Sequence, residues 1–209
     1  MLKLYYRPMA CSLAARMALM QGGIDAEYLP VDFTTQTSLK DGLSFADVTA
    51  KKRVPVLILP DGSKLTENAA VLQYIADLAP GSGLAPAADD PGRYRLQEWL
   101  SFVGTEVHKA FLFPYFRPET DDDTKAILRD RVGETVAYMS KQIGDAFLLD
   151  EKFSVADAYL LWALLLVRFT GIELPDNLTD FLKRCMAIEA VAAAVAIERE
   201  EMQSFPPRT

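Results

Sequence analysis

The chain changes character once, across residues 79–92, and that change restricts what it can fold into. Before the segment, short β-rich runs alternate with helical stretches; after it, only helical periodicity remains. Leu2 to Tyr6 reads as a strand ended by Pro8, and Ser12 to Gln21 as a helix stopped by Gly22-Gly23, the glycine signal of a helix C-terminus. A second strand is expected over Glu27 to Val31. The polar stretch from Asp32 to Arg53 has no clear period, but it has room for a short helix near Leu43 to Val48. Val56 to Leu59 and Ser63 to Thr66 flank Pro60-Asp61-Gly62, and Asp-Gly between two such runs predicts a hairpin. From Glu67 to Leu78, Ala70, Val71, Tyr74, Ile75 and Leu78 share one helical face. The expected order is β-α-β-α-β-β-α over residues 1–78, an α/β unit. A linker at 79–92 with three Gly and three Pro separates it from an all-α unit over 93–209.

In the helical half, Leu96, Leu100, Val103 and Val107 mark a helix from Arg93 that Pro114 or Pro118 bends or ends. Asp121-Asp122-Asp123 opens a second long helix, its acids complementing the dipole. Ser154 followed by Asp157 reads as a capping box with Asp in the usual Glu position. It opens the apolar run Ala158 to Val167, about half the length of roughly 20 residues needed to span a bilayer, so a buried core helix is expected there. The Ala/Val-rich stretch Ala187 to Ile197 predicts another.

With 209 residues, 50% of them hydrophobic and 24% charged, the chain can bury a real core. Basic and acidic side chains balance over residues 1–78, so the net charge of −7 belongs to the second half. The one cationic run is Lys51-Lys52-Arg53, too little for a phosphate backbone, and nucleic acid is not an expected partner. Two distant cysteines and one histidine cannot assemble the usual metal-ligand spacings, so no metal is expected. They do not make a disulfide framework either, and MLKLYYRPMACS is no apolar signal segment, so a cytoplasmic protein is expected.

Three places could carry chemistry. Cys11 stands at the start of the first helix, where free N–H groups and the dipole favour a thiolate, although a lone cysteine there also reads as a small buried hydrophobe. Ala14 follows three positions later, which excludes a C-x-x-C couple. At Thr66-Glu67-Asn68 a strand turns into a helix whose N-terminus could hold a carboxylate, with an amide from Asn68 and an ammonium acceptor in Glu67. That set suits an amino-acid zwitterion, and plain capping by Thr66 is the competing reading. Val54-Pro55 opens a strand, a routine place for proline.

Taken in order, KLYYRPMACSLAARMAL, VPVLILPDGSKLTEN and VLQYIADLAP resemble the thioredoxin-like domain of cytosolic glutathione transferases. RYRLQEWLSFVGTEVHKAF and FSVADAYLLWAL are similar to the helical-domain signatures of that family's bacterial beta class. The resemblance implies a thioredoxin-like N-terminal domain, an all-α C-terminal domain, a homodimer and no membrane association. It also implies a detoxifying transferase that joins glutathione to a small hydrophobic electrophile. Cys11 matches the cysteine that lies against the glutathione sulfur, and His108, with Lys109 beside it, matches its companion from the helical domain. Val54 matches the residue whose backbone pairs with the cysteinyl part, Pro55 the cis-proline, and Glu67 and Asn68 the γ-glutamyl end. Ser101 and Glu106 match positions that approach glutathione across a dimer interface.

The departures are specific. The family usually has Ser at Asn68, Gly at Met9, Asn at Ser101 and Lys at Gln36, a position near the glycyl carboxylate. Asn-Pro-x-Gly before Val-Pro is replaced by Thr49-Ala50-Lys51-Lys52-Arg53, in which Arg53 or Lys52 can replace the missing cation. Met9, Phe111, Phe113, Tyr115, Phe116 and Phe169 are candidate walls for the electrophile. Ser12, Tyr5 and Tyr6 are rival activators of the thiol. A thiol–disulfide exchange enzyme using Cys11, or a binding protein that keeps the fold without catalysis, are the alternative functions.

Overall fold

The computed structural model describes residues 1–149 and 151–205. Five strands form one mixed sheet in the order β3-β2-β1-β4-β5: β1 (Leu2–Tyr6), β2 (Ala26–Asp32), β3 (Thr37–Ser38), β4 (Val56–Ile58) and β5 (Lys64–Thr66). β1 pairs parallel with β2, setting Leu4 opposite Tyr28, and antiparallel with β4, setting Leu4 opposite Leu57. Parallel pairing needs a crossover, and α1 (Ser12–Gln21) supplies it. The β4–β5 hairpin turns at the expected Asp-Gly. Gly62 takes φ +85° and donates its N–H to the Leu59 carbonyl at 2.9 Å.

β3 was not expected. It lies in the polar stretch, spans two residues and pairs with Val31 and Asp32, too short to leave a period in the sequence. α2 (Phe45–Val48) follows, fixed by Phe45, which is fully buried with its ring centroid 6.1 Å from that of Tyr5. α3 (Asn68–Leu78) completes the N-terminal unit.

The helical half opens with α4 (Gly92–Phe102), which passes without a break into a π-helical stretch, Val103–Leu112, and a last turn, α5 (Phe113–Tyr115). The Phe113 N–H donates to the His108 carbonyl five residues back, the widened ring of a π-helix, and Pro114 offers no N–H to restore the narrower one. α6 (Asp122–Gln142) starts where the Asp121 carboxylate accepts the Thr124 N–H at 2.7 Å. α7 (Val155–Val167) carries the full Ser154/Asp157 capping box and is buried everywhere except Leu166. α8 (Asp176–Met186) ends in a turn at Ala187, so the expected helix over Ala187 to Ile197 instead starts later and runs further, as α9 (Glu189–Gln203).

One core runs through both halves. α1 is buried from Ser12 to Leu19 and packs on α3, α7 and α9. Burying a side chain such as Leu13, Met17 or Leu19 contributes about 2 kcal/mol. The segment between α3 and α4 is clamped too: the Arg93 guanidinium donates to both carboxylate oxygens of Asp77, at 2.9 and 3.0 Å, and to the Pro86 carbonyl at 2.9 Å. The Val155 N–H donates to the Leu84 carbonyl at 2.9 Å, tying the same segment to the start of α7.

Candidate functional site

Residues 7–11 carry the chain from β1 into α1. Within them Met9 adopts φ +60°, a left-handed conformation that favours glycine. Two side chains of the helical half hold it there. The Met9 N–H donates to the Glu198 carboxylate at 2.7 Å, and its carbonyl accepts the Trp162 indole N–H at 3.1 Å. Glu198 is fully buried and pairs with Arg16 at 3.1 Å; the Arg16 guanidinium in turn lies over the rings of Tyr6 and Tyr28. Burial pushes the Glu198 carboxyl up to about 8, with Arg16 pulling against it. No local spacing joins residues 9, 16, 162 and 198, so nothing in the sequence pointed to this support.

Cys11 follows the turn at the mouth of α1, 7% exposed, and its thiol donates to the Val54 carbonyl at 3.3 Å. The lowered pKa expected from its position does not hold. Burial pushes the thiol up to about 12, outweighing the charge of Lys109 and the backbone N–H groups of residues 11 and 12. The rival activators are engaged elsewhere. The Ser12 hydroxyl accepts the Arg7 N–H at 3.3 Å and donates to the Arg7 carbonyl at 3.2 Å, Tyr5 donates to Asp41 at 2.8 Å, and Tyr6 lies beneath Arg16.

The π-helical stretch brings His108 and Lys109 over this loop. His108 Nδ1 shares a hydrogen bond with the Tyr159 hydroxyl at 2.7 Å, and the ring stands edge-on to Trp162. Burial, with the Lys109 charge adding to it, lowers the imidazole to about 3, so it is neutral at physiological pH. The Val54-Pro55 peptide is cis. At the start of α3 Glu67 takes φ +70°, and the Lys51 ammonium donates to its carboxylate at 2.6 Å and to the Thr66 hydroxyl at 2.9 Å. Thr66 therefore does not cap α3, which begins without a side-chain cap, and among the described residues the amide of the adjacent buried Asn68 makes no close hydrogen bond, though it interacts with the Tyr159 hydroxyl.

Two cavities meet on this framework. One, of about 340 Å³, has apolar walls from Met9, Phe113, Phe116, Trp162, Leu166 and Met202. The other, of about 80 Å³, is polar, lined by Lys51, Pro55, Thr66, Glu67, Asn68 and Tyr159. Cys11, Arg53, Val54, His108 and Lys109 line both. Most of the expected site residues thus converge, but four do not. Gln36, at φ +55°, turns its amide onto the Phe33 carbonyl at 2.8 Å and lines neither cavity. Ser101 and Glu106 are exposed on the helical half and line neither. Tyr115 lines neither, and its hydroxyl donates to the Thr170 carbonyl at 3.2 Å and accepts from Arg129 at 3.1 Å. Phe111 is core and Phe169 is exposed outside the cavities. The cation of the 49–53 loop common to both cavities is Arg53, not Lys52. Among the described residues no group of His, Cys, Asp and Glu could hold a metal ion, and no helix is long and apolar enough to cross a membrane.

Residues 1–77 match the N-terminal domain of glutathione S-transferases, and residues 105–189 match the C-terminal domain of the same proteins. The chain belongs to the glutathione S-transferase family. It is 34% identical over 203 residues to the glutathione S-transferase GstA of Escherichia coli O157:H7, covering 94% of this chain and 98% of that one. Among solved glutathione S-transferases, a sphingomonad enzyme complexed with glutathione is 40% identical with a TM-score of 0.88, over 94% of this chain and 98% of the other. A bacterial beta-class enzyme of Sphingomonas chungbukensis is 36% identical, also with a TM-score of 0.88 and the same coverage of each chain. The glutathione S-transferase architecture, a thioredoxin-like sheet domain followed by a helical domain, accounts for both halves of the chain.

Proposed function

We propose that this chain is a beta-class glutathione transferase that joins the sulfur of glutathione to small hydrophobic electrophiles. The observation that carries the reading is the pair of adjoining cavities, one polar and one apolar, with Cys11 and His108 on their common wall. The γ-glutamyl end fits the polar cavity: the uncapped start of α3 and the Asn68 amide suit its carboxylate, and Glu67 suits its ammonium in exchange for Lys51. The Val54 backbone pairs with the cysteinyl part, which sets the glutathione sulfur against Cys11.

Cys11 acts there as a hydrogen-bond donor. A thiol held near 12 keeps its proton and can turn it from the Val54 carbonyl to the ligand's sulfur, stabilising the ligand thiolate together with the Lys109 charge. His108, held near 3, is too weak a base to take the ligand's proton and orients the sulfur instead. The same high thiol pKa argues against an exchange enzyme attacking through Cys11, since the thiolate is the nucleophile in that chemistry. Ser101 and Glu106 line neither of the two cavities, so on this reading they reach glutathione from a partner subunit. A cytoplasmic homodimer is the assembly that supplies one, and sedimentation should give twice the chain mass of 23.2 kDa.

Calorimetric titration with reduced and oxidised glutathione, read beside intact-protein mass for wild type and Cys11→Ala, tests the reading. Saturable binding of reduced glutathione is expected in both. Conjugation in the variant should reach its plateau at a higher pH, because the ligand thiolate has lost a donor. A folded wild-type protein that binds no glutathione at millimolar concentration would refute it.

A further inference from the structure

The apolar cavity has a charge bias that the protein as a whole does not share. Among the described residues, the charged ones in its lining are Arg7, Arg53 and Lys109, all basic and none acidic, in a chain of net charge −7. Arg53 and Lys109 flank one ring, with the guanidinium carbon 5.3 Å and the ammonium nitrogen 4.7 Å from the Phe113 centroid. A third cation near that ring, Arg117 at 5.3 Å, is neutralised by Glu119. Arg53 and Lys109 form no ion pair with any carboxylate among the described residues; Arg53 donates to the Lys52 carbonyl at 3.1 Å. Two solvent-facing cations beside one aromatic face, without an acid between them, form a half-site for an anion.

On the transferase reading, one glycyl carboxylate of glutathione reaches this wall, and one cation suffices for it. We propose that the second substrate is an aromatic electrophile bearing a carboxylate or sulfonate. Its anionic group sits at the mouth beside Arg53 and Lys109, and its ring passes along Phe113 toward Trp162, Leu166 and Met202. The proposal rests on the transferase reading and names the substrate class of that site. A volume of about 340 Å³ holds a substituted benzene. The cations also offset the repulsion between a thiolate and an anionic partner, which otherwise slows the attack in water. The reaction balances without a further reactant. The glutathione thiol gives its proton to solvent, the sulfur lone pair forms the S–C bond, and a ring halogen leaves as halide with the electrons of the broken C–halogen bond.

The test compares a chlorodinitrobenzoate, with chlorine flanked by the nitro groups and the carboxylate opposite, against the matching benzamide. Each kcat/KM is divided by the rate constant with glutathione alone. Wild type should favour the benzoate by about two- to fivefold at low ionic strength, the range one partly exposed ion pair supplies. The preference should shrink toward one at about 0.5 M salt, where the Debye length is only a few ångströms. It should also shrink in Arg53→Gln and Lys109→Gln, and because the benzamide is measured in each variant, a general loss of activity cancels from the ratio. A wild-type ratio of one or less with the benzamide turned over overturns the anionic substrate and leaves the transferase standing. No turnover of either compound also overturns the anionic substrate, and the glutathione titration then decides whether the transferase reading falls with it.

Discussion

A cysteine or histidine in this site meets two opposing effects, the field of its neighbours and the cost of leaving water, and here the second wins at both. Position alone predicts an acidic thiol at Cys11, because a sequence displays the helix start and hides the depth of burial. His108 gives the measurable consequence. Its pKa is lowered in the fold to about 3 and returns to about 6.5 on unfolding, so the unfolded chain binds the extra proton. Its contribution to stability is therefore full above the unfolded value and is lost as the pH falls from about 6.5 toward the folded one. Between pH 7 and pH 5 this amounts to about 2 kcal/mol. Urea titrations of wild type and His108→Gln at the two pH values isolate it from other titrating groups. The wild-type advantage over the variant should shrink on acidification by that amount, and an unchanged difference would mean that His108 is not held neutral.

At the level of elements, what was legible follows from periodicity and caps, and what was not follows from contacts between distant segments. The Ser154/Asp157 capping box, the Asp61-Gly62 hairpin and the buried run of α7 were all readable because each lies within a few consecutive residues. β3, two residues long, and the widening of the helix over Val103–Leu112 leave no such trace. The same holds for the site. Cys11, Val54, Glu67, Asn68, His108 and Lys109, which line the cavities, were singled out by the order of their motifs. The grip of α9 and α7 on the Met9 turn was invisible because it joins residues 189 and 153 positions apart. That grip can be loosened selectively. Glu198→Gln keeps an oxygen to accept the Met9 N–H but leaves Arg16 without its buried partner, although Glu201 at 3.4 Å and the two tyrosine rings retain part of the stabilisation. A loss of about 3 kcal/mol in urea is expected at about pH 9, where a carboxyl held near 8 is ionised and the pair is charged, and a smaller one at pH 7. The conjugation rate should fall at temperatures where the variant remains folded, since the turn carries Cys11. A stable, fully active Glu198→Gln would show that the Arg16 pair is not needed to hold residue 198 beneath the Met9 turn.

Across the whole molecule, the change in sequence character at residues 79–92 does not mark two independently stable bodies. Side chains from β1, α1 and α3 share a continuous core with those from α4, α6, α7, α8 and α9, and α1 has little surface left for water once α7 and α9 cover it. Arg93 and the Leu84 carbonyl fasten the connecting segment to both halves. A sheet unit stripped of the helical half would expose most of one face of α1 and lose the two hydrogen bonds that hold Met9, so cooperative unfolding of both halves is expected. Three probes can be followed at one protein concentration: far-ultraviolet circular dichroism for all helices, tryptophan emission from Trp99 and Trp162 in the helical half, and alkylation of Cys11 in the sheet half. Their denaturant midpoints should coincide. Cys11 becoming reactive well before the tryptophan signal moves would mean that the sheet half opens alone, and with it the site that depends on both.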